Sequence, residues 1–394
     1  MSVDSAPSRF RLDDKSIQEN PFAHYAALRE QAPVLRTELA GNAVWVLSRQ
    51  EDVAAALKDS ATFSSRTSPQ PTLLHSDPPE QQRLRAMTSG LFTRGAVSSM
   101  EPFIEQRGRE LLDALVAAGG CDIVDDFAGP LTVSVSSRLF GVSVDDVEQL
   151  RRWTKLAAEY IRSTRLGTPA PEDAKAAHSE LFAFAGSLVA PDQHRPEGAV
   201  ATLAKFTAAG ELTQEQFSRF VVLLLVAGHS TTTNLIANSV YTLTQHPEDL
   251  ARLRDEPAFA QKFIEEVLRL RPSFQRIPRV TTRDVEVSGT MIPANSTVYL
   301  LLGSANRDPR LFDGPDVFDP EQRRKMHMSF GYGIHTCLGQ WLARLEVRIA
   351  LQSLAARVES VTLDPDQQPD HLSGGTFNEF GFHHLPVRFV PLAR

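Results

Sequence analysis

The residue best placed to do chemistry in this chain is Cys337. It stands in the run Phe330-Gly-Tyr-Gly-Ile-His-Thr-Cys-Leu-Gly339, where Gly331, Gly333 and Gly339 surround a lone thiol. Glycine allows left-handed backbone and close main-chain approach, so the run reads as a tight loop shaped to lie against a planar ligand. Leu338, Trp341, Leu342, Leu345 and Ile349 then repeat at helical spacing, which sets Cys337 at the mouth of a helix. Unpaired N–H groups and the positive end of that helix favour thiolate over thiol, as a metal ligand requires. A lone cysteine is more often a small buried side chain, but the glycine spacing turns the reading toward a metal. Structural zinc needs about four nitrogen or sulfur ligands; His327 and His335 stand near, yet no second ligand pair follows at the usual separation. A single thiolate suits haem iron.

A second polar cluster sits inside an apolar helix. Phe217, Phe220, Val221, Leu224 and Leu225 follow the i, i+3, i+4, i+7, i+8 pattern. The helix should begin near Thr213, with Glu215 and Gln216 in a capped first turn, and end before Pro247. Its roughly 34 residues would span about 50 Å, enough to cross a domain as a core spine. At its centre lies Ala227-Gly228-His229-Ser230-Thr231-Thr232. Gly228 exposes backbone there, and the Thr231 hydroxyl can reach back to the Ala227 carbonyl, bending the helix and opening a groove. A third pair, Glu266 and Arg269, has the i, i+3 spacing of an intrahelical salt bridge and can also brace the cysteine loop.

The elements that must hold these groups are mostly helices. Leu111, Leu112 and Leu115 lead one more, whereas strand-like alternation is confined to Ala43 to Leu47, Val285 to Val287, Thr297 to Leu302 and Pro386 to Val390. No low-complexity tract, repeat or linker divides the chain, so residues 1–394 are expected to form one mainly α domain with a small β portion, residues 1–20 loosely ordered. A net charge of −7 argues against nucleic acid, which needs a basic face. Two distant cysteines, Cys121 and Cys337, suggest a reducing cytoplasm rather than a disulfide framework. The chain opens without an apolar leader, and the longest apolar run, Phe220 to Gly228, falls short of the roughly 20 residues of a membrane span. A soluble cytoplasmic monomer with no membrane contact is expected.

The pattern Phe330-x-x-Gly333-x-x-x-Cys337-x-Gly339 resembles the haem-binding signature of the cytochrome P-450 superfamily, in the form carried by its bacterial soluble branch. Three further blocks resemble the family in order and spacing: Glu266-x-x-Arg269; Ser304-Ala-Asn-Arg-Asp-Pro309 followed by Phe318-Asp-Pro320; and Asp77-Pro-Pro-Glu-Gln-Gln-Arg-Leu-Arg85. The resemblance implies a P-450 fold, with haem b (iron protoporphyrin IX) between the long central helix and the cysteine loop. Cys337 would be the axial ligand, and Arg85, Arg279 and His335 would hold the propionates. Gln81 stands where the family usually has a histidine in the same role. Ala227, Gly228, Ser230 and Thr231 match the oxygen-activation motif, except that Ser230 replaces an acidic residue implied to feed protons to dioxygen.

Substrate-facing positions implied by the family are Leu223, Val226, Ala227, Gln275, Ile277, Phe377 and Asn378, so a small hydrophobic or aromatic organic substrate of secondary metabolism is expected. Electrons would come from NAD(P)H through a separate ferredoxin or flavodoxin and its reductase, docking on Arg94, Arg323, Arg324, Lys325 and Arg344. Ser230 leaves the reaction open between hydroxylation and oxidative coupling. A peroxide-driven enzyme and a non-catalytic haem-binding sensor are the other readings.

Overall fold

The computed structural model describes residues 10–68, 72–142, 147–322, 325–372 and 378–393. Helices make most of the chain, and the largest core cluster gathers around one of them, Gln214–Gln245. That helix starts as its sequence predicts: the Thr213 hydroxyl accepts from the Gln216 amide, and the Gln216 side chain returns the bond to the Thr213 N–H. It ends at His246, before Pro247, and runs about 48 Å at 1.5 Å per residue. Phe217, Phe220, Val221, Leu224 and Leu225 are all buried along one stripe. The helix is long and apolar enough to cross a membrane, contrary to the expectation that no segment is, but 67% of its most apolar stretch lies buried inside the fold. Helices Gly129–Phe140, Glu172–Ser187 and Gln340–Ala355 pack on it.

Among the described residues the β portion is four small sheets. The largest runs Val34–Leu39, Asn42–Leu47, Thr297–Leu301, Arg276–Thr281, Phe63–Ser64, with one parallel pair, Trp45 opposite Val298, among antiparallel ones. The expected strands at 43–47, 285–287, 297–302 and 386–390 are present within a residue of their limits. Residues 10–20 depart from the loose segment expected: Phe10, Leu12 and Ile17 are buried against Tyr25, Val46 and Leu301. Three apolar side chains spaced over eight residues anchor that stretch to the sheet's outer face.

Candidate active site

Cys337 sits on a loop closed on itself. Its N–H donates to the Phe330 carbonyl at 2.9 Å, Gly331 N–H donates to Met328 at 2.8 Å, and Gly333 to His335 form a single 3₁₀ turn. Helix Gln340–Ala355 follows with Gly339 as an N-cap that offers no side chain, so its first N–H groups stay free for the sulfur. Deep placement raises the Cys337 pKa, while the Gly339 and Gln340 N–H groups and the charges of Arg85 and Arg344 oppose the rise. The side chain is nevertheless exposed. Exposure deep within a fold marks an internal hollow.

The long helix shows the same hollow from the other side. Leu223, Val226, Ala227, Ser230 and Thr231 fall at i, i+3, i+4, i+7 and i+8, and all keep partial or full exposure while Val222, Leu224, Leu225, His229 and Thr232 are buried. Thr231 Oγ1 donates to the Ala227 carbonyl at 3.1 Å, as predicted, and the helix continues unbroken through that bond. Gly228 has a different task from the one expected: a Cβ there would meet Ser136 Oγ at 3.0 Å and the Phe140 ring at 3.4 Å, so it is a contact point with helix Gly129–Phe140. Gly333 is likewise fixed by packing, since its φ is +74° and a Cβ would stand 2.7 Å from the Leu57 carbonyl.

Beside the thiol, positive charge gathers with little to balance it. Arg279 is buried, its pKa lowered to about 10 by burial and relieved only by Asp77. Burial also lowers Arg85, whose Nη2 donates to the Thr336 carbonyl at 2.7 Å. His335 is pushed to about 4 by burial and the Arg279 charge, and its Nε2 is buried without a partner among the described residues. Such a nest of donors fits a pair of carboxylates, as haem propionates would supply. Gln81 is otherwise engaged: its Nε2 donates to the Ile334 carbonyl at 2.8 Å, which makes it a brace of the cysteine loop rather than a free donor.

Together the thiol at a helix mouth, the hollow and the uncompensated cations fit a haem. The Cytochrome P450 family model matches residues 10–387.

This chain belongs to the cytochrome P450 family.

It is 36% identical to the biotin biosynthesis cytochrome P450 of Bacillus subtilis, over 88% of this chain and 91% of that one. It is also 36% identical to the erythromycin C-12 hydroxylase of Saccharopolyspora erythraea, over 91% and 92%. Among solved structures, P450BioI in complex with a hexadec-9Z-enoic acid-ligated acyl carrier protein superposes with a TM-score of 0.85, at 32% identity, covering 95% of this chain and 100% of that one. The chain is therefore an enzyme of a haem- and dioxygen-using family with the P450 fold.

Within this P450, the Glu266–Arg269 pair is a buried bidentate bridge, with contacts of 2.8 and 2.6 Å. Arg269 also donates to the carbonyls of Asn306, Pro315 and Val317, and Glu266 accepts from Asp319 N–H and Gln322. It clamps the 306–322 segment, and reaches the cysteine loop through Asn306, which bonds Ser329 and Met328. Of the implied substrate positions, Gln275 turns away: it is 1% exposed, donates to the Pro272 carbonyl, and its Oε1 lies where a Cβ on Gly303 would stand. Ile277 is half-buried, and Asn378 Oδ1 has no partner among the described residues. Phe377, Arg323 and Arg324 lie outside them. The docking cations are partly committed, since Arg344 pairs with Glu265 at 2.6 Å, Lys325 bonds the Leu311 carbonyl and Arg94 stacks 3.8 Å over Trp341.

One carboxyl that meets the motif on the long helix is not signalled by the sequence. Glu379 Oε1 accepts from Ser230 Oγ at 3.0 Å and its Oε2 from Asn234 Nδ2 at 2.9 Å. Its deep setting raises the pKa to about 7 although the side chain keeps some exposure; as at Cys337, contact with the hollow reconciles the two. A partner 149 positions away leaves no local spacing by which to find it.

Proposed function

We propose that this P450 is a monooxygenase that inserts one atom of dioxygen into a small, largely hydrophobic or aromatic molecule of bacterial secondary metabolism. The observation that carries the reading is the exposed stripe Leu223, Val226, Ala227, Ser230 and Thr231 on a helix otherwise buried around it. Apolar side chains at one end of that stripe and hydroxyls at the other suit an oily substrate held beside a site of proton supply.

Cys337 would hold the iron, with Arg85, Arg279 and His335 on the propionates. Haem, once bound, supplies the reductive activation of dioxygen. Thr231 spends its own hydroxyl proton on the Ala227 carbonyl, so toward the hollow it presents lone pairs and acts as a fixed acceptor. Leu223, Val226 and Ile277 exclude water and hold the substrate, and Asn378 is available to orient a polar substituent. Electrons come from NAD(P)H through a separate ferredoxin or flavodoxin. Oxidative coupling of phenols is the second reading, drawn from Ser230 in place of an acid.

Turnover of the haem-loaded chain under isotopically labelled dioxygen, with a ferredoxin and its reductase, tests this. Macrolides, aromatic peptides and long-chain acyl groups that perturb the haem spectrum serve as substrates. Monooxygenation places one labelled atom in the product. Product without label assigns the chain to coupling, and equal turnover on peroxide alone contradicts the need for a reductase.

A further inference from the structure

Ser230 leaves the long helix without a carboxyl where the family usually carries one, yet a carboxyl is present in space. It is brought there by the C-terminal segment. Glu379 is held by the bridge its backbone makes with Phe274, and by the neighbouring bond from Gln275 N–H to the Asn378 carbonyl at 2.7 Å. Phe380 behind it is buried, and Gly381 lies so close to Asn234 that a Cβ would meet its side chain at 2.5 Å. The segment therefore sits on the helix with its carboxyl in one place.

We propose that Glu379 is the proton-relay carboxyl of this enzyme, acting on the reaction through the hydroxyl of Ser230. The proposal rests on the monooxygenase reading above and names the residue that supplies its protons.

The geometry decides which oxygen carries the proton. Asn234 offers an N–H to Oε2, which must stay an acceptor, so a proton on the carboxyl belongs on Oε1, facing Ser230. In the ionised form Ser230 donates to Oε1. In the neutral form Oε1–H donates to Ser230 Oγ, and the serine proton is released toward the exposed stripe where Thr231 lies one residue on. A relay event breaks the Oε1–H bond as Ser230 Oγ gains that proton and gives up its own to an acceptor in the hollow. The carboxylate that remains is reprotonated by a hydronium ion from solvent water, and no electron moves in the relay. Partial exposure of Glu379 gives that water access.

A carboxyl with a pKa of about 7 is poised for this work, because both of its forms are populated near neutral pH. Burial is the largest cause, with Ser230 and Asn234 pulling the other way. No charged side chain contributes from the long helix, the Ser273–Gln275 turn or Phe380–Phe382. Arg271, at the end of the preceding helix, stacks instead over Tyr241 and Phe380.

Infrared difference titration of the haem-loaded ferric protein reads the proton itself. The proposal predicts a carboxylic-acid carbonyl band that titrates near pH 7, is lost in Glu379→Gln and shifts in Ser230→Ala. In turnover, Glu379→Gln should raise peroxide release per product roughly tenfold, and Ser230→Asp placed in that variant should restore coupling. A purely structural role would not be rescued by an acid on a different element. No such band in the wild type, unchanged coupling in Glu379→Gln, or failure of the Ser230→Asp rescue in a protein that keeps its haem would each overturn the proposal. Where Glu379→Gln does not fold, Ser230→Ala alone must produce both the band shift and the uncoupling. A wild type that binds haem and shows the band but oxidises nothing would sink the monooxygenase reading instead.

Discussion

At the scale of single residues, Thr231 and Glu379 each carry a prediction of their own. Thr231 has committed its proton to Ala227, so its lone pairs are what the hollow meets. Thr231→Ala should therefore raise peroxide release relative to product several-fold, read as uncoupling, with haem binding intact. Glu379 makes a stability prediction with a definite sign. Its folded pKa, about 7, lies above the ordinary 4.5, so the native state holds the proton more tightly than the unfolded chain. The resulting stability is full below about pH 4.5 and is lost as pH rises through 7. Glu379→Gln keeps the neutral shape, so the variant should match wild type near pH 5 and exceed it by on the order of 2 kcal/mol at pH 8, measured by urea unfolding. Cys337, Thr231 and Ser230 were legible because each lies in a local motif. Glu379 was not, because its meaning depends on a contact between residues 149 apart.

At the scale of elements, the site is held by a clamp and by two close contacts. Glu266 and Arg269 are 5% and 3% exposed and share five further polar partners along the 306–322 segment. Removing one partner leaves the other charge buried and unpaired, so Arg269→Ala should cost about 3–5 kcal/mol in unfolding and lower haem retention. The spacing made the pair legible, but not its object: carbonyls at Asn306, Pro315 and Val317 become its targets only once that segment folds over the helix. The glycines tell the same story. Spacing suggested that Gly333 admits a planar ligand and that Gly228 exposes backbone, yet a Cβ on Gly333 would meet the Leu57 carbonyl and one on Gly228 would meet Ser136 and Phe140. Gly333→Ala should destabilise the protein by about 1–3 kcal/mol through backbone strain and a clash. The nearest atom to a Cβ on Gly339 is the Cys337 sulfur at 4.0 Å, and Gly339→Ala should unfold close to wild type.

At the scale of the whole molecule, one apolar helix serves as a spine, with helices, the strands Val358–Leu363 and Phe382–His384, and the segment carrying Glu379 packed on it. Its capping box and apolar stripe could be read directly from the residues, and so could the short strands whose alternation is regular. Arg276–Thr281, with a proline inside it, and Val34–Leu39, with three polar residues in six, carry no such alternation and take their form from neighbouring strands. Electron supply is a property of this scale too. With Arg344 paired to Glu265, Arg94 remains an exposed cation in contact with the cysteine helix, through its stacking over Trp341. Arg94→Glu should slow reduction by an acidic ferredoxin, most at low salt, and an unchanged rate at every salt concentration would remove electrostatic docking there. All of this depends on sulfur from Cys337 bonding haem iron, and the visible spectrum of the reduced carbon-monoxide adduct reads that bond directly. The haem-loaded wild type should show the long-wavelength band of a thiolate ligand, and Cys337→His should move it to the position given by nitrogen ligation. A wild-type spectrum already of the nitrogen type, or one that Cys337→His leaves unchanged, would contradict the account.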